Sequence, residues 1–119
     1  MTRTSFVQER LKEILVDGTN ANVVRDILVY FDRISKGFDV VNVDGGRKNF
    51  LSFNEVFAHI FERLNIDQAL IREYPRLKSQ KNITYHREKL AEIEDYLAYE
   101  QLCEGFASMD LSFASMDLS

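Results

Sequence analysis

The stretch Ser52 to Leu64, SFNEVFAHIFERL, constrains the fold more than any other part of the chain, because it joins a helix start signal to the densest apolar face. Ser52 and Glu55 have the spacing of a capping box, in which the hydroxyl accepts an orphan N–H and the carboxylate returns to the N–H of the cap. Phe53, Val56, Phe57, Ile60, Phe61 and Leu64 then recur at helical spacing, giving one broad stripe. Burying these side chains at roughly 1.5–3 kcal/mol each offsets the entropy of ordering the segment. The stripe predicts a central helix that needs partners.

The flanking sequence supplies them. Ser5 and Gln8 form a second capping-box pair, opening a helix whose Val7, Leu11, Ile14 and Leu15 share a face until Gly18 stops it. After the turn-rich DGTNAN, Asn20 or Asn22 caps a second helix carrying Val23, Val24, Ile27, Leu28, Phe31 and Ile34, ending near Gly37. The segment Phe38 to Leu51, FDVVNVDGGRKNFL, changes character: β-branched and aromatic residues flank Asp44-Gly45-Gly46, which fits either a small β-hairpin or an irregular loop. Asp67 caps a short helix through Leu70, Ile71 and Tyr74, which Pro75 ends or kinks. Leu77 to Asn82 is a polar connector. Thr84 caps the longest helix, with Leu90, Ile93 and Leu97 on one face, widened by Tyr96, Tyr99, Leu102 and Cys103, and Gly105 ends it. The expected fold is all-α: a compact bundle of about five helices over residues 1–105, with one small hairpin at 38–51 as an option.

Beyond Gly105 the sequence repeats itself. Residues 106–112 and 113–119 both read FASMDLS, a tandem copy that chance does not produce. One reading is a recent duplication whose second copy does nothing. A second uses the period of seven: on a helix, Phe106, Met109, Phe113 and Met116 occupy a and d positions of a continuous seam, too short to stand alone. A third treats each copy as an acidic amphipathic motif for a groove, with duplication adding avidity. Phe106, Met109, Leu111, Phe113, Met116 and Leu118 are accordingly the candidate protein-interaction residues.

Charge and chemistry narrow the function. With 119 residues and a formal charge of −4, the chain fits one domain, weakly repelled as a whole by nucleic acid and anionic membranes. No apolar run approaches the ~18 residues that cross a bilayer. The charged N-terminus does not resemble a signal peptide, and the single cysteine, Cys103, forms no internal disulfide, so a reducing cytoplasmic setting is expected. His59 and His86 lack metal-ligand spacing, Gly45-Gly46-Arg47-Lys48 lacks the spacing of a phosphate loop, and Cys103 sits among packing residues. No enzyme, metal or cofactor is expected. The charges are uneven, however. Arg72, Arg76, Lys78, Lys81, Arg87 and Lys89, joined by Arg47 and Lys48, form the candidate nucleic-acid contact, whereas no cation follows Lys89. The alternative reading is a solvated face that answers the acidic half, within one molecule or head to tail between molecules.

The run Arg47 to Tyr96, with R-K-N-F-L-S-F opening an apolar helix and Tyr74-Pro75-Arg76-Leu77-Lys78-Ser79 leading into the last one, resembles the C-terminal helical segment of late transcription factor 3-like proteins of large DNA viruses. The resemblance covers under half the chain. The family's upstream metal-binding segment has no counterpart here, so it implies a nucleic-acid-linked role without assigning a site residue. The leading expectation is a non-enzymatic adaptor or small inhibitory regulator that acts on a protein partner through a helical surface and self-associates. A nucleic-acid-binding accessory factor using residues 72–89 is the alternative, and no membrane partner is expected.

Overall fold

The computed structural model describes residues 3–42 and 50–117, with the side chains of residue 4 and of residues 103–117 left out. Among the described residues four α-helices follow one another, α1 (Arg3–Ile14), α2 (Ala21–Val41), α3 (Phe53–Arg63) and α4 (Gln80–Asp117), with a 3-10 turn at Gln68–Leu70. Among the described residues there is no strand, only an isolated antiparallel bridge between Leu15 and Ile71. None of the helices is long and apolar enough to cross a membrane among the described residues.

The apolar spacings translate directly into the core. Val7, Leu11, Ile14 and Leu15 of the first segment meet Ile27, Phe31, Ile34 and Phe38 of α2, and Val56, Phe57, Ile60 and Phe61 of α3 close over them. Leu90 and Ile93 are the contribution of α4. Phe31 touches Phe50, Phe53 and Phe57 at ring-centroid separations of 5.6, 5.6 and 5.9 Å, so the aromatic residues form one packed cluster. α3 is deeply buried, but the hub is α2, which packs on each of the other three helices. Its apolar positions run unbroken from Ile27 to Phe38 and give it a face long enough for that role.

Several expected boundaries move. α2 passes through Gly37 to Val41, so Phe38 to Val41 are helical and not the first strand of a hairpin. The side chain of Arg3 stabilises this last stretch, donating to Ser35 Oγ at 2.8 Å and Asp39 Oδ1 at 3.2 Å while lying 4.5 Å from the Phe50 ring centroid. The Asp44-Gly45-Gly46 turn, with Arg47 and Lys48, lies outside the described residues. The helix expected from Asp67 to Tyr74 is one 3-10 turn, capped as foreseen by Asp67, whose carboxylate accepts from the Ala69 N–H at 3.0 Å. It stops because the backbone beyond is committed elsewhere: Val16 N–H donates to Leu70 O at 2.9 Å and Arg72 N–H to Ile14 O at 2.7 Å. α4 starts at Gln80, placing Thr84 inside it, and runs through Gly105.

The capping box at Ser52 is not made. Ser52 starts α3 without a side-chain cap bond, and its own N–H donates to His86 Nε2 at 3.0 Å. Glu55, freed from that duty, accepts from Arg76 Nε at 2.8 Å, Arg76 Nη2 at 3.1 Å and the Leu77 N–H at 3.0 Å. A long-range pair has displaced a local one. It fixes the extended segment after Tyr74 against α3.

Candidate interaction surface

α4 supplies the surface. Its N-terminal half is held to the body by Leu90 and Ile93, and Leu97 still packs against the core. α2 and α4 run antiparallel: Gly37 faces Ile93, Tyr96 and Leu97, and Arg25, Leu28 and Val29 share a cleft with Leu97 and Gln101. Every residue from Ala98 to Leu102 is exposed, with Tyr99 and Leu102 at 65% and 64% of their full accessibility. At 3.6 residues per turn, positions 99 and 102 lie about 180° around α4 from Leu90, Ile93 and Leu97. The expected widening of the core face by Tyr99 and Leu102 therefore does not occur; both face away from α2. The backbone carries the helix on to Asp117, across both copies of the heptad repeat. The side chains of Phe106, Met109, Leu111, Phe113 and Met116, with that of Cys103, lie outside the described residues, as does Leu118 altogether.

The basic region is divided. Arg76 is spent on Glu55, Arg72 lies 3.6 Å from Asp17, and Lys89 pairs with Glu92 at 3.2 Å with its ammonium over the Tyr85 ring. Lys78, Lys81 and Arg87 are exposed. Arg72, Arg76 and Arg87 do line one groove of about 1040 Å³, between α3, the segment after it and the start of α4. Glu55, Glu62 and Glu73 line it too, so its charge is mixed.

Two polar clusters bind α4 to the body. In the first, His86 is buried; its Nε2 accepts from the Ser52 N–H at 3.0 Å and its Nδ1–H donates to Asn82 O at 2.8 Å. In the second, one oxygen of Glu94 accepts from Tyr30 Oη and from His59 Nε2 at 2.8 Å, while Arg63 Nε forms an ion pair with it at 3.2 Å and donates to Tyr30 Oη at 3.4 Å. Burial, aided by the hydrogen bond to the Glu94 carboxylate, raises the Tyr30 phenol above its ordinary value and keeps it a donor. The Arg76 guanidinium holds the Glu55 carboxyl below the usual range, against the opposing effect of burial. Both histidines thus have structural hydrogen bonds, and the arrangement positions helices. Among the described residues no group of histidine, cysteine and carboxylate side chains is placed to hold a metal ion. Sequence reasoning missed Tyr30, Arg63 and Glu94, because a hydrogen bond spanning 64 positions leaves no local pattern.

Compared with protein-family models, curated proteins and solved structures, the chain matches none.

Proposed function

We propose that this chain is a non-enzymatic interaction module, an adaptor or small inhibitory regulator of the cytoplasm, that works through the outward face of α4. The observation that supports the reading is the exposure of Leu102 and Tyr99 at the point where α4 leaves the body. A helix offering large apolar residues to water is a surface that a partner covers. The polar clusters serve this role by fixing the direction in which the helix leaves.

The test is a photo-cross-linking residue placed at Leu102 and, as control, at exposed Glu9 on α1, in cells that express the chain. Discrete protein adducts at position 102 and none at position 9 are expected. Adducts at neither position, or the same adducts at both, would refute the reading.

A second reading, a nucleic-acid-binding accessory factor, draws on the exposure of Lys78, Lys81 and Arg87 and on the resemblance to late transcription factor 3-like proteins. It requires affinity that falls steeply with salt, and absence of binding to DNA and RNA at low salt would dismiss it.

A further inference from the structure

We infer that His86 is an acid-released latch: its neutral ring pins the start of α4 to the start of α3, and protonation frees residues 78–89 from the body. Two hydrogen bonds define the latch. His86 is 5% exposed, its Nε2 accepts from the Ser52 N–H at 3.0 Å, and its Nδ1–H donates to Asn82 O at 2.8 Å. A backbone N–H only donates and a carbonyl only accepts. One neutral tautomer, with its proton on Nδ1, therefore satisfies both partners. A charged ring carries a proton on each nitrogen, so Nε2–H meets the Ser52 N–H and the bond between the two helices is lost. Two buried donors then face each other, a cost that the ring escapes by moving out to water.

The tethers on either side set how much of the chain moves. Before the latch, the Leu77 N–H donates to Glu55 Oε2 at 3.0 Å. After it, Leu90 and Ile93 are buried in the core, and Glu94 is held by Tyr30 and His59. Between these tethers His86 is the one buried side chain, while Ile83, Tyr85 and Lys89 are only partly covered. Releasing it loosens the first turns of α4 and leaves the rest of the helix in place. The released turns form one wall of the groove of about 1040 Å³ between α3 and α4, so the groove opens with them.

Charge works in the same direction. On α4 the ring stands among Arg87, Glu88 and Lys89, and Lys89 is paired with Glu92. Lys78 and Lys81 precede it, and Tyr85 lies beside it at a ring-centroid separation of 5.8 Å. From the groove Arg72, Arg76, Glu62, Glu73, Tyr74 and His59 face the same space. The acid that feels the charge of His86 is Glu55 on α3, and it is already engaged by both Arg76 nitrogens and the Leu77 N–H. A proton on His86 thus adds a cation to a cationic stretch whose buried counter-ion is taken. The latch is independent of what the outward face of α4 meets.

The isotope-labelled full chain is titrated by NMR from pH ~8 to ~5, following both imidazole rings, the backbone amides and amide hydrogen exchange. At the alkaline end His86 should show the Nδ1–H tautomer. As its ring charges, the Ser52 amide resonance should move with the same midpoint. Exchange protection at positions 84–87 should fall at least about tenfold, while Ile93 and Glu94 keep theirs. His86→Gln keeps an acceptor for the Ser52 N–H and does not titrate, so the Ser52 amide should no longer move over this range. In His59→Gln it should move as in the parent. An Nε2–H tautomer, a His86 ring that charges without moving the Ser52 amide, or protection lost evenly along α4 would overturn the proposal. So would a ring that stays neutral until the whole chain unfolds. If His86→Gln does not fold, the titration of the parent decides by itself.

Discussion

Glu55 and Arg76 stand in unequal surroundings, and that inequality gives the pair its energetics. The Glu55 carboxylate is buried, whereas the Arg76 side chain keeps 54% of its accessibility. Removing the cation leaves a buried anion with only the Leu77 N–H; removing the anion leaves a guanidinium that water can reach. Arg76→Ala should therefore cost about 2–3 kcal/mol and Glu55→Gln nearer 1 kcal/mol, the exposed partner's share being screened. Urea denaturation of both variants checks the order. The acid limb follows from the same contact. Because the folded carboxyl is held below its ordinary value of 4.5, its stabilisation is whole above that pH and is lost as pH falls through the lower folded value. Melting curves between neutral pH and pH ~3 should show this loss in the parent and a smaller one in Glu55→Gln. The sequence displayed the residue and misled about its partner. Ser52 and Glu55 have local capping spacing, but nothing local announces that His86 will take the Ser52 N–H or that Arg76 will reach the carboxylate.

Gly37 shows how a boundary signal is read differently once helices pack. As a sequence feature it ends a helix; in the fold it is a place where α4 packs closely on α2. A Cβ added there would lie 2.9 Å from Ile93 Cγ2, and 3.6 and 3.7 Å from Tyr96 and Leu97. Alanine would gain about 1 kcal/mol of helix propensity but must push aside a branch methyl fixed close to the α4 backbone. Overpacking of this kind typically costs 1–3 kcal/mol, so Gly37→Ala should be net destabilising in a chemical melt. Ile93→Leu removes the β-branch methyl, and the double variant should recover part of the loss, giving a coupling energy in a double-mutant cycle. Faces survived the passage from sequence to structure, since Val7, Leu11, Ile27, Phe31, Ile34, Val56, Phe57 and Ile60 are all buried as their spacing requires. Ends did not. α3 stops in a Schellman motif with Asn65 at φ 54° and Ile66 N–H on Phe61 O at 2.9 Å, a cap without the usual glycine to mark it. Gly18, by contrast, takes φ 84° in the turn after α1, where a glycine was the right signal.

Across the whole molecule, the described core and the length of α4 do not coincide. Among the described residues the buried apolar side chains end at Ile93, with Leu97 partly covered, while α4 continues for twenty more positions to Asp117. The radius of gyration, 17.3 Å, exceeds the roughly 13–14 Å of a compact chain this long. The longest dimension, 56 Å, is close to the length of α4 itself, about 1.5 Å per residue. The repeat was legible in the sequence as a period of seven, but that the helix before it turns Tyr99 and Leu102 outward was not, because periodicity does not say which side of a helix the neighbour takes. A chain ending at Gly105 should thus keep the body's stability while losing both copies of the repeat. If the full chain self-associates, mass action stabilises its folded state and its Tm climbs with protein concentration. For the shortened chain Tm should be independent of concentration and match the full chain's value extrapolated to high dilution. Scanning calorimetry of both chains over a range of concentrations decides this. A shortened chain that melts lower at every dilution would show instead that residues beyond Gly105 support the body.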